Sequence, residues 1–416
     1  MRLFDLPEAH SLSVLTRDGR LLFVSRITRL FAYGLISVVL VLYLAQVGFD
    51  EGQIGLLLSL TLAGDTVVSL WITTRADHMG RRKMLLLGAG LMILAGTAFS
   101  ASSSFIILTL AAIIGVISPS GNEIGPFLAI EQAGLAHTIP DNQRTQIFAW
   151  YNLAGSVATA CGALIGGGAA ALLQAAGNTP LTSYRFILLL YALLGAVLLV
   201  IFTRLSSRIE LAAAPAKRAG LGIERSRSIV LRLSALFALD AFGGALIVQS
   251  LVAYWFHVRF GVDTAVIGAI FFGANIFAGL SALAAARIAT RIGLINTMVF
   301  THIPSNILLM LVPLMPTLPL AVFVLLVRFS ISQMDVPTRQ SYVMAVVDPT
   351  ERSAAAGVTG IARTVGAACA PLLSGLMLGA GLLSLPFFAA GGLKIAYDLA
   401  LYRSFRRLKP PEEVSG

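Results

Sequence analysis

Apolar positions along this chain run on without the alternation of a strand. Ile54 to Leu62, Met84 to Leu94 and Ile187 to Phe202 are near-continuous runs, separated by short polar or glycine-containing turns. A barrel strand crossing a bilayer alternates over about 10 residues, whereas a crossing helix needs about 20 mostly apolar ones, so the pattern predicts membrane-spanning helices. Helices also satisfy their own backbone polar groups where no water can. Twelve spans are predicted, at 21–46, 51–74, 84–100, 104–136, 146–176, 183–205, 230–258, 263–287, 294–313, 318–347, 353–380 and 384–404. The longest polar stretch, Ser206 to Ser228, divides them six and six. The expected organisation is an N-terminal segment 1–20, a six-helix bundle 21–205, a linker 206–229, a second bundle 230–404 and a tail 405–416.

The two halves repeat in register. Gly48-Phe-Asp-Glu-Gly-Gln-Ile-Gly55 matches Gly261-Val-Asp-Thr-Ala-Val-Ile-Gly268, and the offset of 213 holds without a gap to Gly80 and Gly293. Later segments shift to an offset of 208, which pairs Glu131 with Arg339, Arg144 with Arg352, Cys161 with Cys369 and Gly167 with Gly375. Internal symmetry of this kind is what secondary transporters are built from.

Composition agrees with a polytopic membrane protein: of 416 residues, 57% are hydrophobic and 12% charged. A net charge of +10 would suggest a nucleic-acid partner in a soluble protein, but here its placement assigns it to topology. Basic residues gather at every second turn, at Arg75 to Lys83, Arg144, Arg204 to Arg232, Arg287 and Arg291, Arg352, and Arg403 to Lys409. The alternate turns hold only Arg185 and Arg259, so both termini are expected to be cytoplasmic, with the protein in the cell (inner) membrane. Cys161 and Cys369 lie in apolar segments rather than external loops, which argues against a disulfide framework. No Gly-Lys pair occurs, so there is no Walker A loop, and the five histidines lack ligand spacing. No metal and no cofactor is expected, nor an enzyme, since no nucleophile, base and orienter come together.

The turn after the second span reads Thr73-Thr-Arg-Ala-Asp77-His-Met-Gly80-Arg81-Arg82-Lys83. It resembles the G-x-x-x-D-x-x-G-R-R-K signature of the major facilitator superfamily, with Thr73 in place of the leading glycine. Together with the six-plus-six spans and the repeat, the resemblance covers the whole chain. It implies an all-α fold of twelve transmembrane helices in two pseudo-symmetric six-helix halves, working as a monomer. It also implies that Asp77, Gly80, Arg81 and Arg82 form a cytoplasmic latch; the alternative is that the basic residues only obey the charge rule. The second half has Thr290, Leu294 and Ile295 at the corresponding positions, so one latch is complete. The fifth span, Gly155 to Gly167, is similar to the superfamily's antiporter motif, with Ala163 replacing its proline. Close helix approach alone could explain those small residues.

The same resemblance places spans 1, 4, 7 and 10 around a central cavity, and each carries a charge: Arg29, Glu123, Asp240 and Arg328. Arg328 lies roughly 15 Å into the bilayer if its helix begins near Leu318. On a continuous helix Ser332, Asp335 and Arg339 fall within roughly 40° of it, forming one polar stripe. Arg328 and Arg29 are candidates for an anionic group, and Asp65, Glu123 and Asp240 for proton coupling; any of these could instead be a structural ion pair. Tyr33, Asn122, Gln249, Gln333, Asp335 and Arg363 complete the candidate cavity, with Tyr254, Asn275 and Asn152 as further hydrogen-bonding groups. Glu131, Arg144, Arg339 and Arg352 are read as charges of a cytoplasmic gate, and Pro337 as a kink. Lys394 and Asp398, four apart, suggest a pair along one helix, and His302 a packed neutral side chain. The expected activity is alternating-access transport of a small organic solute with protons. Efflux of lipophilic or cationic compounds is the second reading, and a non-transporting receptor or polytopic enzyme a distant third.

Overall fold

The computed structural model describes residues 15–121, 126–139, 144–210, 224–348 and 351–408, and every regular element among them is helical. In chain order these are α1 (Arg17–Ser37), α2 (Leu40–Val47), α3 (Glu51–Met79), α4 (Arg81–Ala101), α5 (Phe105–Ile114), α6 (Phe127–Thr138), α7 (Arg144–Ala175) and α8 (Pro180–Thr203). After the linker come α9 (Arg227–Ala245), α10 (Gln249–Phe260), α11 (Thr264–Ile292), α12 (Leu294–Leu311), α13 (Leu318–Ser332), α14 (Asp335–Val346), α15 (Arg352–Ala368), α16 (Ala370–Gly379) and α17 (Leu385–Phe405).

Among the described residues nine helical segments are long and apolar enough to cross a membrane, ten if α1 and α2, bent by 44°, are one span. Between 28% and 56% of each apolar window is buried within the protein, so much of each faces outward. Those outward positions are themselves apolar, including Val67, Ile106, Leu172 and Phe323, as a lipid-facing surface requires. The fourth predicted span is the pair α5 and α6, too short separately to cross, and the twelfth is α17, whose apolar run is diluted by Lys394 and Asp398.

Spans 1, 4, 7 and 10 are all interrupted, between α1 and α2, α5 and α6, α9 and α10, and α13 and α14. Pro337 accounts for the last break. A proline there lacks the N–H that would reach the Gln333 carbonyl, and its ring clashes with that carbonyl, so α13 ends at Ser332 and the proline sits in the first turn of α14. Pro371 separates α15 from α16 in the same way. Interruption frees backbone carbonyls, and neighbouring helices satisfy them: the Tyr191 hydroxyl of α8 donates to Val116 O beyond the end of α5.

The described residues fall into two compact units. One draws on Met1–Gly48, Gly64–Ala216 and Asp263–Phe272, the other on Phe49–Ala63, Lys217–Val262 and Gly273–Gly416, so α3 and α11 each divide between them. The same helix pairings recur in both: α1 on α7 and α4 on α8 in the first, α9 on α15 and α12 on α17 in the second. Small residues set these contacts. A Cβ on Gly34 would meet Thr159 O at 2.1 Å, and one on Gly162 would meet Phe31 O at 2.1 Å, so α1 and α7 touch backbone to backbone. On the other side of the repeat Gly366 lies against Ala238 O and Gly391 against Met310. The glycines of the fifth span thus have a packing role.

Candidate functional site

Charges buried in a bilayer need partners, and each unit builds its own cluster. In the first unit Arg29 of α1 meets Glu131 of α6 in a two-pronged pair, Nη1 to Oε1 at 2.7 Å and Nη2 to Oε2 at 2.9 Å, with neither side chain exposed. Ser25 Oγ donates to Oε1 at 2.7 Å and the Tyr151 hydroxyl donates to Oε2. The Arg29 guanidinium also lies 4.7 Å from the centre of the Phe127 ring. Beside it Arg26 donates to Tyr151 O at 2.9 Å and to Asn152 Oδ1 at 3.2 Å. Arg29 is therefore an engaged cation, paired as the ion-pair alternative describes.

The second unit is built around Asp240 of α9. Its Oδ1 accepts from Lys394 Nζ at 2.6 Å, and its Oδ2 from Arg339 Nη1 at 3.2 Å and Arg363 Nη1 at 3.1 Å. Arg339 also binds Asp335 at 2.9 Å, one turn away on α14. Protonating Asp240 would leave three cations facing a neutral carboxyl. Lys394 thus reaches across to α9 and not along its own helix, contrary to its spacing. Asp398 accepts from His302 Nδ1 at 2.8 Å and from Asn306 Nδ2 at 3.1 Å, and His302 Nε2 stands 4.0 Å from Asp240 Oδ1. The histidine is buried, but it is wedged between two carboxylates and is no simple packing residue.

The register of the repeat links the clusters. Glu131 and Arg339 occupy equivalent positions 208 apart, and each pairs with the charge on the first helix of its own half, Arg29 or Asp240. Glu131 and Arg339 repeat in position with opposite charge, while Arg29 and Asp240 share the first helix of each half without sharing the register.

Arg328 stands apart. It is 9% exposed, it makes no hydrogen bond or ion pair among the described residues, and its guanidinium lies 4.9 Å from the ring centre of Phe329. Its Nε and the Oγ of Ser332, one turn later on α13, are both buried without a hydrogen-bond partner. The polar stripe expected on one continuous helix is interrupted at Gln333 and Met334, so Arg328 and Ser332 form one part and Asp335 with Arg339 another.

Other candidates divide among local contacts. Gln249 Oε1 accepts from Asn275 Nδ2 at 3.3 Å, Gln333 N donates to Ser281 Oγ at 3.2 Å, and Tyr254 donates to Glu51 at 2.8 Å. Asp65 accepts from Ser69 on its own helix at 3.3 Å. Tyr33 is fully buried and stacks on Tyr191 with ring centres 6.5 Å apart. Asn122 and Glu123 lie outside the described residues, as do the side chains of Asp77 and Arg144; Arg352 is exposed.

The basic turn is engaged within its own unit. Arg82 donates to Phe202 O at 3.2 Å and Thr203 O at 2.5 Å, neutralising the exposed carbonyls that end α8, and Arg81 donates to Ile209 O at 3.0 Å. Glu210 in turn accepts from the backbone N–H of Arg81 at 2.6 Å and of Arg82 at 3.1 Å, at the start of α4. Gly80, at φ +101°, makes the turn that lets this carboxylate reach the helix. The second half repeats the device: Glu351 accepts from the backbone N–H of Glu224, Arg225 and Ser226 at 2.6, 2.8 and 2.9 Å, ahead of α9. Sequence reasoning missed Glu210 and Glu351, although Glu210 is a lone acid in a basic turn.

Comparison with known proteins agrees with this architecture. The family model for the Major Facilitator Superfamily matches residues 22–334. An uncharacterised membrane protein of Saccharomyces cerevisiae, YJR124C, is 32% identical over 418 residues, covering 93% of each chain. Among solved structures, a nucleoside transporter, NupG, superposes with a TM-score of 0.72 at 16% identity, covering 94% of this chain and 100% of that one. A bacterial homologue of the human lysosomal transporter Spinster, in an inward-facing and occupied conformation, gives 0.69 at 16% identity, with 95% of each chain covered. The chain belongs to the major facilitator superfamily and is a secondary transporter, a multi-pass membrane protein with no enzymatic activity.

Proposed function

We propose that the protein carries a small organic anion across the membrane by alternating access, coupled to protons, with Arg328 binding the anionic group. Arg328 carries this reading. Lys394, Arg339 and Arg363 of the second cluster each have a carboxylate, while Arg328 keeps its Nε, and the Ser332 hydroxyl beside it, without a hydrogen-bond partner. An unpaired charge at bilayer depth costs several kcal/mol, a cost that a ligand carboxylate, sulfonate or phosphate would offset with charge-assisted hydrogen bonds. The described carboxylates of the second cluster are covered by cations or by His302 and Asn306, which disfavours a cationic substrate.

Thermal stabilisation of the purified protein by a panel of organic anions, cations and neutral solutes tests this. Ligands that bind the folded state stabilise it by mass action. Anions should raise the midpoint of the parent and lose that effect in Arg328→Gln. Stabilisation by cations or lipophilic compounds, equal in both proteins, would replace anion transport with the efflux reading.

A further inference from the structure

Asp240 is covered by three permanent cations, which makes it a poor place to deposit a proton, and this directs attention to the histidine beside it. His302 is the buried histidine of the second cluster, a side chain that can hold a proton on either ring nitrogen or on both. Asp398 as a carboxylate can only accept, so the contact at 2.8 Å assigns the Nδ1 proton to His302. Neutral His302 then presents its Nε2 lone pair to Asp240 Oδ1 at 4.0 Å, an acceptor facing an acceptor.

We propose that His302, oriented by Asp398, is the proton-binding site of this transporter, and that it loads the proton on Nε2 and passes the charge change to Asp240. This rests on the proton-coupled reading above. A proton on Nε2 turns the repulsive contact into an ion pair directed at Oδ1, the oxygen that Lys394 holds at 2.6 Å. Imidazolium and ammonium then crowd one oxygen and repel each other, and the lock between α9 and α17 loosens; loss of the proton restores it. The charges facing His302 come from every side. Helix α17 supplies Asp398, Lys394 and Tyr397, and α9 supplies Asp240. From α14 and α15, Arg339 and Arg363 act through Asp240, with Asp335 neutralising part of Arg339. Helix α13 contributes Arg328, which feels Asp335 electrostatically but makes no hydrogen bond or ion pair with any of them. Without Arg328 the cluster sums to zero when His302 is neutral: Asp240, Asp335 and Asp398 against Lys394, Arg339 and Arg363. With Arg328 it carries one positive charge, so an anion bound there removes the charge that opposes protonation of His302. Solute and proton would load together.

Nitrogen-15 NMR of the full chain labelled at histidine tests the site, with the His302 signals identified by their loss in His302→Gln. Over a titration from about pH 5 to 8 the His302 signals should report uptake of one proton, and that uptake should move to lower pH in the isosteric Asp398→Asn. A His302 that keeps one protonation state across that range, or a midpoint that ignores Asp398→Asn, overturns the proposal. The coupling is read in proteoliposomes: solute-driven proton flux should fall to background in His302→Gln while anions still stabilise that variant thermally. Undiminished flux in His302→Gln overturns the dyad as the carrier. A parent without any solute-driven proton flux fails the proton-coupled reading itself, and the titration tells that failure from failure of the site.

Discussion

The Arg29–Glu131 pair predicts a large and asymmetric mutational cost. Both side chains are fully buried, with both oxygens of the acid matched to guanidinium nitrogens at 2.7 and 2.9 Å. Attraction between unit charges about 4 Å apart is ~4 kcal/mol at an effective dielectric of 20. Removing one partner of a buried pair typically costs about 3–5 kcal/mol, because the other charge is left buried and uncompensated. Glu131→Gln keeps the shape of the acid and should therefore lose about 3–5 kcal/mol. The double replacement Arg29→Met with Glu131→Leu removes both charges and should lie within about 2 kcal/mol of the parent, since apolar replacement of a buried pair is often close to neutral. The measurement is reversible unfolding in mixed detergent micelles of the parent, Arg29→Met, Glu131→Leu and their double, closed as a cycle, with Glu131→Gln measured beside them. A Glu131→Gln variant within about 1 kcal/mol of the parent, or a coupling energy near zero, would refute the claim that Arg29 depends on Glu131.

Three further outcomes follow from the same geometry. Arg328→Gln should leave stability unchanged or raise it, since it deletes a buried charge with no carboxylate bonded to it among the described residues; a loss comparable to that of Glu131→Gln in the same unfolding assay would show that Arg328 is a structural cation. Tyr191→Phe should cost about 1 kcal/mol in that assay, by orphaning Val116 O at the break in the fourth span; no loss would mean that another donor serves that carbonyl. Glu351 is held down to about 2 by the N–H of Glu224 above all, helped by those of Ser226 and Arg225. A depressed carboxylate contributes stability that is present above its unfolded value of about 4.3 and is lost as the pH falls toward 2, so that acid limb should be shallower in Glu351→Gln. Superimposable limbs for the two proteins would contradict this account.

The helices were legible because a bilayer leaves the backbone few choices, and the break in the tenth span was legible at Pro337. The repeat was legible as register, and through it the equivalence of Glu131 and Arg339. Pairing across helices was not. Lys394 and Asp240 are 154 residues apart, and nothing local announces their contact. The four-residue spacing of Lys394 and Asp398 pointed along one helix, but Gly391 against Met310 turns that face of α17 toward α12, where Asp398 finds His302. The repeat held a usable signal: a charge on the first helix of each half, Arg29 or Asp240, with the opposite charge at Glu131 or Arg339. Arg328 was singled out by its depth, its polar stripe and its place on a cavity-lining span, and its isolation emerges only once the other cations of the cluster have been paired.

The central claim is that an organic anion and a proton move together through this protein by way of Arg328. The most direct test is proton movement into proteoliposomes holding a pH-sensitive dye, recorded as members of the solute panel are added outside. The account predicts acidification of the lumen on addition of one class of organic anion, its absence with cations and neutral solutes, and its loss in Arg328→Gln. Proton movement driven by cations, or by anions equally in parent and Arg328→Gln, would contradict it.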